Sequence, residues 1–134
     1  MKFIVRGVSY RERMTHDMGN WLNPYPWQWF VTLTFAIDKI SPDRAKKLFE
    51  QFAQASGANV IYFMVIEWHR FRDNVHIHAL LGNVEKELNW EYGISRMLRY
   101  SPQLGARFYL SKFIGNEMVE WDFKLDSIQK ERDY

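Results

Sequence analysis

Asp73-Asn74-Val75-His76-Ile77-His78-Ala79-Leu80-Leu81 sets two histidines two positions apart in an otherwise apolar run. That pattern predicts a strand. Successive strand side chains point to opposite faces, so His76, His78 and Leu80 share one face while Val75, Ile77, Ala79 and Leu81 share the other. Two imidazoles side by side can bind one divalent cation. They can equally be a pair of satisfied core histidines, because imidazole accepts partners of many kinds.

Working outward, Asn59 to Trp68 is a second strand, apolar enough from Val60 to Ile66 that both of its faces must be covered. It ends on Glu67. The segment His69-Arg70-Phe71-Arg72-Asp73-Asn74 is short and turn-like, so the two strands form a hairpin that folds the Glu67 carboxylate back toward the imidazoles. Trp29 to Phe35 alternates aromatic and β-branched residues at strand period. Between it and the hairpin, Ser41-Pro42-Asp43 supplies a helix start, Ala45, Leu48, Phe49 and Phe52 follow at helical spacing, and Gly57 is placed to end the helix.

Beyond Gly82-Asn83 a charged stretch, Val84 to Glu91, leads to a further strand over Gly93 to Tyr100. Ser101-Pro102 repeats the Ser-Pro helix start, and Met118 to Leu125 alternates as a last strand. At the front, Phe3 to Ser9 reads as a strand or an ordered arm, Arg11 to Asn20 as polar and irregular, and Trp21 to Trp27, with two prolines, as a rigid loop. Residues 1–28 are thus expected as an arm and loop, and 126–134 as a flexible charged tail. The order implies an α+β fold with a mostly antiparallel sheet, βαββαβ, in a single domain over 1–134.

At 134 residues the chain holds one core and no second catalytic module. Apolar residues at 47% and charged at 25% are ordinary globular values, and the net charge is only +2. The sequence pI is nevertheless about 8.9, and Arg70, Arg72, Arg96, Arg99, Arg107 and Lys112 gather around the candidate site as a local basic patch. Cysteine is absent. That excludes disulfides, thiolate zinc sites and cysteine nucleophiles, so a metal here must use nitrogen and oxygen. With no long apolar segment, leader or lipidation signal, the expected location is the cytoplasm and no membrane is expected as a partner.

Of the seven tyrosines, only Tyr109 is followed by a lysine three positions on, and it lies after the histidine pair on an expected helix. In this order the chain resembles the HUH endonucleases of the rolling-circle replication initiator class, from Trp29 to about Leu125. Trp29-Phe30-Val31-Thr32-Leu33-Thr34-Phe35 is similar to the family's structural first motif, His76-Ile77-His78 to its metal-binding second, and Tyr109-Leu110-Ser111-Lys112 to its Tyr-x-x-Lys third. The resemblance implies a five-stranded antiparallel sheet with packed helices. It implies nicking and joining of single-stranded DNA, through a 5′-phosphotyrosine and a free 3′-OH, to start rolling-circle replication of a plasmid or virus.

On that resemblance Tyr109 is the nucleophile, and Lys112 contacts the phosphate, positions the metal-bound group or lowers the phenol pKa. His76, His78 and Glu67 hold Mn²⁺ or Mg²⁺, which offsets charge gathering on phosphate oxygens. Arg70, Arg72, Arg96, Arg99 and Arg107 are candidates for phosphate contacts, and Trp27, Trp68 or Trp90 for base stacking. Phe113 stands where two-tyrosine relatives place a second tyrosine, which implies one nucleophile. No phosphate-binding Gly-x-x-x-x-Gly-Lys-Ser/Thr loop is present, so helicase and polymerase are expected from other proteins, acting with a monomer on an origin strand or hairpin.

Four other readings compete. A catalytically silent protein on the same fold would bind single strands or hairpins without cutting. A single-tyrosine HUH transposase shares the motif order but typically lacks the lysine. An RNA-binding module of the RRM type shares βαββαβ but has no use for His-x-His, and a two-histidine, one-carboxylate oxygenase leaves the Tyr-Lys pair unexplained.

Overall fold

The computed structural model describes residues 10–68, 74–113 and 118–125. The described chain forms α1 (Tyr10–Leu22), β1 (Trp27–Leu33), α2 (Pro42–Ala55), β2 (Ile61–Trp68), β3 (Val75–Gly82), β4 (Ser95–Arg99), α3 (Gly105–Phe113) and β5 (Met118–Lys124). The five strands make one sheet in the order β4-β1-β3-β2-β5, every neighbouring pair antiparallel. The expected α+β fold with a five-stranded antiparallel sheet is the fold observed. The expected arm at Phe3 to Ser9, the His69 to Asp73 turn and the tail from Asp126 lie outside the described residues.

Strand parity splits the core in two. Val31, Leu33, Met64, Ile66, Ile77, Ala79 and Leu81 face α2, which buries Ala45, Leu48, Phe49 and Phe52 against them. Phe30, Phe63, Val65 and Leu80 face the other way, under Ala106, Tyr109 and Leu110 of α3 and Leu22 of α1. The central strands are therefore buried on both sides, as the apolar run through β2 requires. The start of α2 is the expected one: Ser41 Oγ accepts from the Arg44 N–H at 3.1 Å, with Pro42 next. Its end differs, since Ser56 rather than Gly57 is the cap residue, with its hydroxyl donating to Ala53 O at 2.8 Å.

Two further differences bear on the site. Tyr10–Leu22, expected within an irregular arm and loop, is a helix. Its contact side carries Thr15, Gly19 and Leu22, all buried, where bare Gly19 lets the backbone of α1 come down on Arg107 of α3. A threonine and a glycine give almost no apolar periodicity, so the pattern that signals a helix is missing. The second Ser-Pro start gives only a turn; α3 begins three residues later, after Gly105 with φ +78°. That left-handed residue breaks the helical path, and Asn23 Oδ1 accepts from the Ala106 N–H at 3.0 Å to cap α3 from the loop after α1. β4 is likewise shorter than Gly93 to Tyr100. At Gly93 a Cβ would collide with the Thr34 carbonyl oxygen, so only glycine allows this approach.

Candidate active site

The β2–β3 hairpin sets Glu67 directly opposite His76 and Val65 opposite His78. Paired residues share a face, so Glu67, His76 and His78 all lie on the face that α1 and α3 partly cover. Glu67 reaches diagonally: His78 Nε2 stands 3.3 Å from Glu67 Oε1, the two side chains 15% and 13% exposed. On the other side β1 places Thr32 opposite His78, and Thr32 Oγ1 lies 3.3 Å from His78 Nδ1. The imidazole is thus held at both nitrogens. As drawn by these contacts, Nε2–H donates to Glu67 and Nδ1 accepts from the Thr32 hydroxyl.

This donor set fits an oxygen- and nitrogen-binding cation. Two donors each about 2.1 Å from one ion, at a right angle or slightly wider, stand roughly 3.0 to 3.4 Å apart, which spans the observed Nε2–Oε1 separation. Thr32 can reverse its role and accept from Nδ1–H, freeing Nε2 as a ligand, the usual outer contact of a ligating histidine. Among the described residues no three histidine or carboxylate side chains already stand in a metal-holding group. Glu67 and His78 are together, with His76 next to them in register.

The remaining candidates are spread. Tyr109 is 5% exposed, its ring 5.1 Å from Phe30 and 4.9 Å from Tyr100. Its hydroxyl accepts from the Ser101 N–H at 2.8 Å and donates to Arg99 O at 3.4 Å. Arg99 is three residues along β4 from Arg96, which is level with Thr32 and His78. At about 3.4 Å per residue, with β4 two strands from β3, that puts the hydroxyl on the order of 10 Å from the imidazole. Lys112 follows on the last turn of α3.

The arginines part company as well. Arg96 is exposed on the site's face, whereas Arg99 lies over the Trp29 ring, 5.0 Å from its centroid, on the α2 face. Arg107 is exposed on α3 beside Arg13 and His16 of α1, and Arg70 and Arg72 are outside the described residues. Trp27 donates its indole N–H to Leu22 O at 2.8 Å and Trp90 to Thr34 O at 2.9 Å, both rings buried. Those two tryptophans pack the core.

Thr32 was missed as a site residue. A polar residue in phase with Phe30, inside an apolar strand, was its available signal.

With this sheet and its Glu67–His78 pair in place, comparison of sequences becomes informative. The sequence model of the replication-associated protein ORF2 family matches residues 28–122. The chain belongs to that family. The match runs from the start of β1 into β5 and so takes in the whole sheet, α2, α3, Glu67, both histidines and Tyr109. No curated protein and no solved structure matches the chain. Among the described residues of this replication-associated protein, no helix is long and apolar enough to cross a membrane.

Proposed function

We propose that this ORF2-family replication-associated protein is a metal-dependent endonuclease of the HUH type that nicks and rejoins single-stranded DNA to initiate rolling-circle replication. The observation that carries the proposal is the Glu67–His78–Thr32 chain of contacts beside His76, on one face of a five-stranded sheet. Glu67, His76 and His78 hold Mn²⁺ or Mg²⁺, and the cation, when bound, offsets negative charge on the scissile phosphate. Thr32 fixes the His78 ring. Tyr109 is the proposed nucleophile: its phenol oxygen forms the new bond to phosphorus, the bond from phosphorus to the 3′ oxygen breaks, and that oxygen takes a proton to become a free 3′-OH. Rejoining is the same exchange reversed. Lys112 lies one helical turn beyond Tyr109 and contributes positive charge toward phosphate.

To act, Tyr109 must leave Arg99 and Ser101 and turn out from between Phe30 and Tyr100. The same hydroxyl geometry favours a second reading, a protein of this fold that binds single strands and does not cut them. The two separate on a denaturing gel. Labelled single-stranded DNA, random and hairpin-bearing, incubated with Mn²⁺ is expected to travel covalently with the protein, and EDTA, His78→Ala or Tyr109→Phe is expected to abolish the adduct. DNA binding without any adduct in the unaltered protein would sink the nuclease and leave the silent binder. An adduct that persists in Tyr109→Phe would move the nucleophile elsewhere.

A further inference from the structure

One strip of the site's face is left uncovered. Arg96 stands opposite Thr32 and Leu98 opposite Phe30, and Thr32 is in turn opposite His78. Ile94 extends the same ladder, since the Thr34 N–H donates to Ile94 O and the Ile94 N–H to Thr34 Oγ1, both at 2.9 Å. Parity therefore puts Ile94, Arg96 and Leu98 on one face, level with and beside the Glu67–His78 pair. α1 and α3 bury Phe30, Phe63 and Leu80 on this face but do not extend over β4: Ile94 is 78% and Leu98 45% exposed, and Arg96 is exposed between them. Large aliphatic side chains left in water next to a candidate site mark a surface that something covers.

We propose that Ile94, Arg96 and Leu98, with Thr32 at their side, seat the DNA single strand that runs into the Glu67–His78 cluster. The inference rests on reading that cluster as a strand-cleaving site. A cation between two apolar residues complements a polymer that presents base faces and phosphate charges by turns, and the seat runs about 13 Å from Ile94 to Leu98. Ile94 and Leu98 lie against bases, and the Arg96 guanidinium meets phosphate. A second copy of this chain is a poorer occupant. Pairing along the open β4 edge would gather Arg96 and Arg99 from both copies at a five-residue strand, four like charges together. Arg99 takes no part, because it stacks on Trp29 on the opposite face.

The test measures binding of a labelled random-sequence single strand by fluorescence anisotropy across a salt series in EDTA, so that cleavage does not intervene. Ile94→Thr with Leu98→Thr is expected to weaken binding about tenfold at fixed salt without changing the salt slope. Arg96→Gln is expected to flatten the slope of log K against log[salt] by about 0.7, while Arg44→Gln on α2 changes neither. All are surface changes, and unchanged melting temperatures confirm folding. Should the β4 variants bind as the unaltered protein does, the seat is wrong and the nuclease reading stands. If the unaltered protein binds no single strand, both fall. A dimer in sedimentation that Leu98→Thr dissociates, with DNA affinity untouched, would make the strip an interface between copies and overturn the seat.

Discussion

His78 has two nitrogens and the fold answers both, which makes Thr32 more than a strand residue. Its hydroxyl can donate to Nδ1 or accept from it, so it supports the imidazole with and without a ligand on Nε2. Thr32→Val keeps the β-branched shape and removes only that choice. Mn²⁺ affinity, read by calorimetry, is expected to fall about tenfold or more with little change in melting temperature. Unchanged affinity would show that Thr32 does not orient the ligand. Tyr109→Phe tests a different atom. It removes the acceptor of the partly buried Ser101 N–H and should cost about 1 kcal/mol of stability in urea unfolding, apart from any effect on DNA cleavage. At this scale the histidine pair and Glu67 were legible, because hairpin register follows from two apolar runs and a short turn. The tie of the Tyr109 hydroxyl to Arg99 and Ser101 was not legible, since its partners are backbone groups, which leave no trace in residue type.

Elements place these residues through contacts that short sequence patterns record unevenly. α2 was legible at its start, where Ser41 and Pro42 act locally, and its apolar face announces itself at helical spacing. α3 was not, because its first exposed N–H group is satisfied from the loop after α1, by Asn23, across eighty-three positions of chain. Asn23→Ala leaves the Ala106 N–H without that acceptor and should lower stability by about 1 kcal/mol, or roughly 4 °C in Tm. Asn23→Asp, which keeps an acceptor at the helix start, should lose less. The loss belongs to α3, so hydrogen exchange is expected to quicken there before it quickens in α2. Equal quickening in both helices would mean that Asn23 serves the whole fold rather than the cap. α3 carries Tyr109 and Lys112, so the cap links the ordering of α1 to the third motif.

Across the whole molecule, one sheet separates two cores, and its α2 side gives a stability test independent of the site's chemistry. Tyr62 on β2 is buried beneath α2, close to Phe49, with ring centroids 5.0 Å apart. Burial, then the charges of Asp122 and Glu50, push its phenol up to about 12 from an ordinary 10.0. The folded state therefore holds this proton more tightly than the unfolded chain does. The resulting stabilisation is complete below pH 10 and is lost as pH rises through about 12, and two units correspond to about 2 to 3 kcal/mol. Tyr62→Phe keeps the ring and deletes the proton. In urea unfolding from pH 8 to 12, the unaltered protein should lose that much more stability than the variant, with the divergence starting near pH 10. Parallel curves would mean that Tyr62 ionises freely in the folded state, and hence that α2 does not close the sheet's second face as tightly as its buried rings imply. A closed α2 face leaves the α1/α3 face, with its uncovered edge at β4, as the side of the sheet open to a substrate.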